Sequence, residues 1–275
     1  MTTMKCPVCS EPLIRGEKEY RCGKNHSFDL AAQGYVNLLL SSKKHTAVPG
    51  DSKEMVAARE QFLGSGAYGF LRREAAQLCV RLMQDRRAPV VVDAGCGEGY
   101  YTCGVSQALR EQQSPGEIFG FDISKFALRS AGKKDKSITW AVASIFDMPL
   151  ETASADLVLN IFAPLAAEEF ARVVRPGGYL VTVTPGAEHL FEMKQILYPQ
   201  PYRNDIEPIA VPGFEQTQRL TIRQTMELEG RQQIKALFQM TPYFWRTPKE
   251  GRERLETVEH LTTDGEFILT VYRRS

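Results

Sequence analysis

A parallel α/β sheet covered by helices on both faces, with a small metal-binding lobe ahead of it, is the fold this sequence predicts. Three observations predict it. Beyond residue 90, short β-branched and aliphatic runs alternate with helix-length segments, a spacing that sets strands side by side in parallel. Val90 to Thr102, VVVDAGCGEGYYT, passes from a buried-type apolar run through three glycines into a helix. Ahead of both, Cys6-x2-Cys9 and Cys22-x3-His26 stand among turn-forming Pro7, Pro12, Gly16 and Gly23.

The chain has 275 residues, 43% of them hydrophobic, enough for one large core and an accessory lobe. A formal net charge of +1 gives no global attraction to nucleic acid, so such a site requires a local basic patch. No apolar run approaches the roughly 20 residues of a membrane span, and MTTMKCPVC lacks the apolar segment of a secretory signal. A cytoplasmic protein without membrane contact is expected. In that compartment the six cysteines read as metal ligands, packing residues or thiols, not disulfides.

Residues 1–45 form the first expected domain. Cys6, Cys9, Cys22 and His26 make a complete tetrahedral donor set, and no nearby fifth donor suggests an open position, so one structural Zn2+ is expected. A lobe this short buries little, and metal binding supplies much of its folding free energy. Up to residue 48, Lys5, Arg15, Lys18, Arg21, Lys24, Lys43 and Lys44 face only Glu11, Glu17, Glu19 and Asp29. With Tyr20, Phe28 and Tyr35 this mildly basic lobe can grip phosphates and stack bases, or the aromatics are simply its core.

Residues 46–275 form the second. Lys53 to Arg86 reads as helical with a break at Gly64 to Gly69. Strands are expected at Val90–Ala94, Glu117–Asp122, Ile138–Val142, Asp156–Ile161 and Gly178–Thr184, then at Gln218–Leu228 and Phe267–Tyr272 around a helix near Arg231 to Phe238. The last two strands close a seven-stranded, mostly parallel, Rossmann-like sheet as an antiparallel pair. Gly177 and Gly178 read as structural, Cys79, Cys96 and Cys103 as packing residues, and His45 and His260 as surface residues, His260 without a partner.

Ligands bind such sheets at the carboxyl ends of the strands. There Gly95, Gly97 and Gly99 let the backbone approach a ligand, Asp93 anchors the turn or a charged ligand end, and Asp122 can accept two ribose hydroxyls. Two features separate this turn from a dinucleotide fingerprint: the third glycine follows the second by two residues, not three, and an acid precedes the first. An acid before G-x-G-x-G resembles the opening of class I S-adenosylmethionine-dependent methyltransferases. ASIFDMPL resembles a further run of those enzymes, with Ser144 in place of the usual acid as a candidate adenine contact. NIFAP partly matches a motif of amino-group methyltransferases, so Asn160 and Phe162 either face a planar base or simply end a strand.

Taken with the zinc lobe, DAGCGEGYYT, YVNLL, PGDSKEMVAARE with its R-x-x-FL, and TPGAEHLFEMK closely resemble the RlmA-type 23S ribosomal RNA guanine-N1 methyltransferases over essentially the whole chain. The resemblance implies methylation of N1 of a guanine in a hairpin of that RNA. It places the zinc ligands on Cys6, Cys9, Cys22 and His26 and cofactor contacts on Tyr68, Gly97, Glu98 and His189, and it is compatible with a homodimer. In-line transfer needs positioning and a site that favours loss of the sulfonium charge. Glu98, Tyr68 and Asn160 are base candidates by position, while Lys43-Lys44, Arg72-Arg73, Arg86-Arg87 and Lys133-Lys134 are candidate phosphate grips or solvated faces. The rivals are a small-molecule methyltransferase and a non-catalytic factor that binds cofactor or ribosome.

Overall fold

The computed structural model describes residues 2–43 and 49–275. Lys44, His45 and the expected boundary between residues 45 and 46 lie outside the described residues, as does the side chain of Lys43. Four short strands open the chain: β1 (Ile14–Arg15), β2 (Glu19–Arg21), β3 (Ser27–Asp29) and β4 (Tyr35–Asn37). The first three form an antiparallel sheet in that order. Buried Met4, Leu13 and Tyr20 pack with Cys6 and Cys22 beneath it, a small apolar set for about thirty residues.

The remaining elements follow the expected alternation. Helix α1 (Lys53–Gly64) starts where the Ser52 hydroxyl accepts the Met55 N–H (3.3 Å), and α2 (Gly69–Met83) follows the glycine break. Then come β5 (Val90–Ala94), α3 (Tyr100–Glu111), β6 (Glu117–Asp122), α4 (Lys125–Lys134), β7 (Thr139–Val142), β8 (Ala155–Ile161), α5 (Ala167–Val173), β9 (Val174–Pro185) and α6 (Phe191–Leu197). The long strands β10 (Phe214–Glu229) and β11 (His260–Arg274) enclose α7 (Arg231–Gln239), α8 (Tyr243–Arg246) and α9 (Lys249–Glu256). Strands β5 and β8 are buried along their whole length, as strands covered on both faces must be.

Strand order is β10-β11-β9-β8-β5-β6-β7-β4. From β5 the chain builds outward through β6 and β7, then returns to the other side of β5 through β8 and β9. Such a reversal leaves a crevice beyond the carboxyl ends of β5, β6 and β8. All seven expected strands are present, with β9 beginning four residues earlier than expected and β10 and β11 extended at both ends.

Among the described residues the sheet has eight strands, not seven, because β4 from the N-terminal segment pairs in parallel with β7 in the register Tyr35↔Trp140, Val36↔Ala141, Asn37↔Val142. Leu38 N–H extends the ladder to Val142 O (3.0 Å). An uncovered β7 would present a row of free backbone groups, and β4 satisfies them. The contact is close: a Cβ on Gly132 would come within 2.5 Å of Gln33 O. The N-terminal segment is thus stitched to the main sheet.

Trp140, fully buried with its indole N–H donating to Asp135 O (2.8 Å), fills the space left by two glycines. A Cβ on Gly120 would lie 2.3 Å from its ring, and one on Gly99 2.9 Å. Gly120→Ala therefore overpacks the sheet, with an expected loss of about 1–3 kcal/mol. Denaturant unfolding measures it, and an unchanged midpoint would contradict the packing described.

Candidate functional site

The crevice holds a cavity of about 320 Å³ bounded by the turns after β5, β6, β7 and β8 and by the start of α1. Gly95, Gly97 and Gly99 take φ of +88°, +55° and +84°, values at which a side chain strains the backbone. Gly95 and Cys96 donate to Phe121 O (2.8 and 3.0 Å), and Gly97 N–H donates to Asp122 Oδ2 (2.9 Å), which lashes the turn to β6. At Gly95 a Cβ would lie 2.4 Å from Ala163 Cβ. At Gly97 a Cβ would meet nothing nearer than Arg59 Cδ at 4.0 Å, so backbone faces open space there.

Among the described residues, Asp93, Glu98, Asp122 and Asp51 put four carboxylates on the wall against one guanidinium, Arg59. Burial pushes Asp93 up to about 7, opposed by the Thr102 hydroxyl that donates to its Oδ2 (2.6 Å). Burial likewise raises Asp122 to about 6, against N–H donation from Ser124 (2.7 Å) and Gly97. Burial alone would lower Arg59, but Asp51, Glu98 and Asp122 together hold it above its ordinary value. Asp93 Oδ1 and Arg59 Nε are buried with no hydrogen-bond partner among the described residues. An anionic, glycine-floored cavity with unsatisfied groups suits a ligand that carries positive charge and hydroxyls.

Of the expected contacts, Asp93, Gly95, Gly97, Glu98, Asp122 and Ser144 line this cavity. Ser144 Oγ also accepts the Phe146 N–H (3.2 Å), and Glu98 lies 3.5 Å from Lys134 Nζ. Gly99, Tyr68, Asn160 and His189 do not line it. Gly99 sits against Trp140. The Asn160 amide donates to Ala94 O (3.1 Å) and Pro164 O (3.2 Å), joining the ends of β5 and β8. Tyr68 and His189 pack on Phe267 (centroids 5.0 and 4.7 Å), which in turn packs on wall residue Phe162 (5.4 Å). Both carry buried polar atoms without hydrogen-bond partners among the described residues, Tyr68 Oη and His189 Nδ1. Burial and nearby Lys194 hold His189 down at about 3, a neutral imidazole.

Asp51, Arg59, Leu63 and Tyr101 belong to the wall but were not singled out as contacts. The signal was present: Asp51 lies in PGDSKEM, and Arg59 and Leu63 are the ends of R-x-x-FL. What links them to the site is tertiary. Arg59 pairs with Asp51 (2.8 Å), and Asp51 O accepts from Ser124 Oγ (2.7 Å), pinning the start of α1 to the turn after β6. Among the proposed basic grips, Arg86 lies 3.4 Å from Asp156, Arg72 sits over the Tyr100 ring, and Lys134 is also near Glu60 (3.6 Å). His260 has a partner, Glu229 at 2.6 Å, since β10 and β11 bring them opposite each other. Cys79 and Cys96 are buried and Cys103 half-buried.

In the N-terminal lobe the ligand atoms of Cys6, Cys9, Cys22 and His26 lie within 4.8 Å of one another. Cys9 Sγ is 3.6 Å from Cys22 Sγ, and His26 Nδ1 is 3.6 Å from Cys6 Sγ and 3.4 Å from Cys22 Sγ. Zinc bonds of about 2.3 Å to sulfur and about 2.0 Å to nitrogen give tetrahedral edges near these lengths. Two tight turns present the donors: Ser10 N–H donates to Cys6 O (2.8 Å) and Asn25 N–H to Cys22 O (3.0 Å), with Ser10 and Asn25 at φ of +61° and +62°.

Two outcomes follow. Gly95→Ala meets both the positive φ and the Ala163 methyl, so a stability loss of at least about 1–3 kcal/mol and loss of ligand binding are expected, measured by thermal unfolding and calorimetry. Metal analysis should find about one zinc per chain in the wild type and none in Cys9→Ser, and in that variant amide exchange should accelerate at Tyr35–Asn37. Unchanged exchange there would uncouple the metal from the sheet edge.

Comparison with known proteins accords with this geometry. Residues 4–47 match the family described as RlmA, N-terminal, a zinc ribbon, and residues 86–227 match a methyltransferase domain family. A candidate 23S rRNA (guanine-N1)-methyltransferase of Micromonospora griseorubida is 34% identical over 265 residues, covering 89% of this chain and 87% of that protein. The 23S rRNA (guanine(748)-N1)-methyltransferase of Streptomyces fradiae is 33% identical over 258 residues, covering 92% and 89%. A solved structure, a candidate sarcosine dimethylglycine methyltransferase from Galdieria sulphuraria, shares the fold at a TM-score of 0.50 and 15% identity, covering 81% of this chain and 98% of that one. With a metal-ligating ribbon, a class I methyltransferase sheet and such identity over about nine-tenths of its length, the chain belongs to the RlmA-type family of 23S rRNA (guanine-N1)-methyltransferases.

Proposed function

We propose that the protein methylates N1 of a guanine in a hairpin of 23S ribosomal RNA, with S-adenosylmethionine as donor and one structural zinc. The observation that carries this is the union, in one chain, of the zinc ribbon with an anionic glycine-floored cleft, supported by 33% identity over 258 residues to an enzyme named for that reaction. S-adenosylmethionine bound in the cleft supplies a methyl group on a positively charged sulfur. Gly95 and Gly97 line its place and the bare backbone of Gly97 leaves room for it, Asp122 accepts its ribose hydroxyls, Ser144 meets its adenine, and Asp93, Glu98 and Arg59 meet its charged amino-acid end. Tyr68, Asn160 and His189 are proposed to close that end from behind the wall. Supporting this are their unsatisfied atoms, for Tyr68 and His189, and the Ala94 contact of Asn160.

Guanine N1 lies on the Watson–Crick edge, so the base must be unpaired to enter. The ribbon stands where it can hold the flanking RNA: Lys5, Pro7 and Ser10 share a groove with Ser144 and Asp147, and Ser144 also lines the cleft. No described helix is long and apolar enough to cross a membrane. A cytoplasmic location goes with a ribosomal RNA substrate, and the expected homodimer is testable by sedimentation.

The direct test is transfer from labelled S-adenosylmethionine to unmodified 23S RNA, mapped by reverse transcription. One stop at a hairpin guanine is expected. No transfer to RNA or ribosomal particles despite cofactor binding would favour a small-molecule substrate or a non-catalytic factor.

Charge in the cleft adds a pH signature. Asp93, raised to about 7, is partly protonated near neutrality in the ligand-free protein, and Asp122, raised to about 6, takes up its proton just below neutrality, whereas a cationic ligand favours their ionised forms. Affinity for S-adenosylmethionine should therefore rise as pH rises from about 5.5 to about 7.5. Calorimetry in buffers of different ionisation enthalpy should show proton release on binding, and Asp122→Asn should weaken both affinity and its pH dependence. Affinity that falls with pH would contradict this account.

A further inference from the structure

The loop after β8 turns an aromatic ring, not its polar neighbour, into the cleft. Asn160 has its amide committed to Ala94 O and Pro164 O, so it braces the strand ends. Phe162, two residues on, adopts φ +54°, a strained conformation for a bulky side chain. Its N–H donates to Val183 O (3.2 Å), and its ring lines the cavity while remaining 40% exposed. The ring packs near-perpendicular to Tyr101 (centroids 6.3 Å) and against Phe267 (5.4 Å). Tyr101 lines the same cavity, and its hydroxyl is buried with no hydrogen-bond partner among the described residues. An orphaned buried donor in a cavity wall marks a place for a ligand acceptor. Phe162 follows β8 while Asp122 ends β6, and these strands flank β5 on opposite sides. The aromatic end is therefore separate from the end suited to the ribose.

We propose that Phe162 and Tyr101 form the acceptor subsite: Phe162 stacks on the target guanine and the Tyr101 hydroxyl donates to guanine O6. This rests on the guanine-N1 assignment above. In the transfer, N1 forms its bond to the methyl carbon as the carbon–sulfur bond breaks, the electron pair of that bond goes to sulfur, and the N1 proton passes to water. Negative charge developing on the base as that proton leaves is shared with O6, where a fixed donor stabilises it. Burial pushes the Tyr101 hydroxyl well above its usual range, so it remains a donor throughout. An aromatic platform on a strained, pinned loop holds the base edge toward the cofactor.

The test uses full-length enzyme, S-adenosylmethionine and unmodified 23S RNA with Tyr101→Phe, Phe162→Leu and Phe162→Trp. Tyr101→Phe should lower kcat about 10- to 100-fold and leave the dissociation constant for S-adenosylmethionine unchanged. It should also move the rising limb of the kcat–pH profile upward, because guanine N1 then gives up its proton less readily. Phe162→Leu should raise KM for RNA about tenfold, and Phe162→Trp should restore it, since stacking needs only an aromatic face. A wild-type rate and pH profile in Tyr101→Phe, or weakened cofactor binding in its place, would overturn the O6 role. An unchanged KM in Phe162→Leu, or a failure of Phe162→Trp to rescue, would overturn the platform. Absence of RNA methylation by the wild-type enzyme would remove the functional assignment and this subsite together, a result distinct from selective variant effects on an active enzyme.

Discussion

The backbone of residues 95–99 has to pass between two walls that leave no room for a side chain at Gly95 or Gly99. On one side Ala163 closes on Gly95, and on the other Trp140 and Ala131 close on Gly99. Between them Gly97 turns its amide to Asp122, leaving its outer side open. Much of the cleft takes its position from this turn: it leads into α3, brings Glu98 and Tyr101 to the cavity wall and ties the end of β5 to β6. A Cβ at either outer glycine would move strands, and the site with them.

Charge is the second constraint. Burying Asp93 and Asp122 is costly, and their upward shifts show that the cost is incompletely offset within the protein. Arg59 is the counterweight, held by Asp51 on a segment that Ser124 fastens to the neighbouring turn. A cationic ligand relieves what remains. The same arrangement that destabilises the ligand-free carboxylates thus favours binding of a sulfonium compound and, after transfer, release of its neutral product.

The N-terminal segment links metal to sheet. Its three-stranded part is organised around four donor side chains, and a few residues later β4 becomes the edge of the main sheet. Through β7 that edge leads to Ser144 and the cleft. A structural ion about which the ribbon folds therefore bears on the geometry of a site to which it contributes no ligand.

Much of this was legible in the chain itself. Strand periodicity located all seven expected strands, glycine spacing located the turn, and the donor spacing of Cys6, Cys9, Cys22 and His26 located the metal centre, because each depends on contacts local in sequence. Asp93, Gly95, Gly97, Glu98, Asp122 and Ser144 were identifiable as wall residues for the same reason: each lies at, or just after, the carboxyl end of a strand that points into the crevice. The pairing of β4 with β7, the Asp51–Arg59 clamp and the divergence of Asn160, which braces the strand ends, from Phe162, which lines the cleft, were not legible. They depend on segments tens of residues apart, or on a backbone angle that the neighbouring strand imposes. The partner of His260 was invisible for a like reason, since only the β10–β11 register brings Glu229 opposite it. Sequence by itself determined the fold class, the Cys/His donor cluster and the floor of the cleft, whose chemistry resides in local spacing. Tertiary structure alone decided which side chains complete the wall and which brace it from behind, because burial and partnership are properties of packed surfaces.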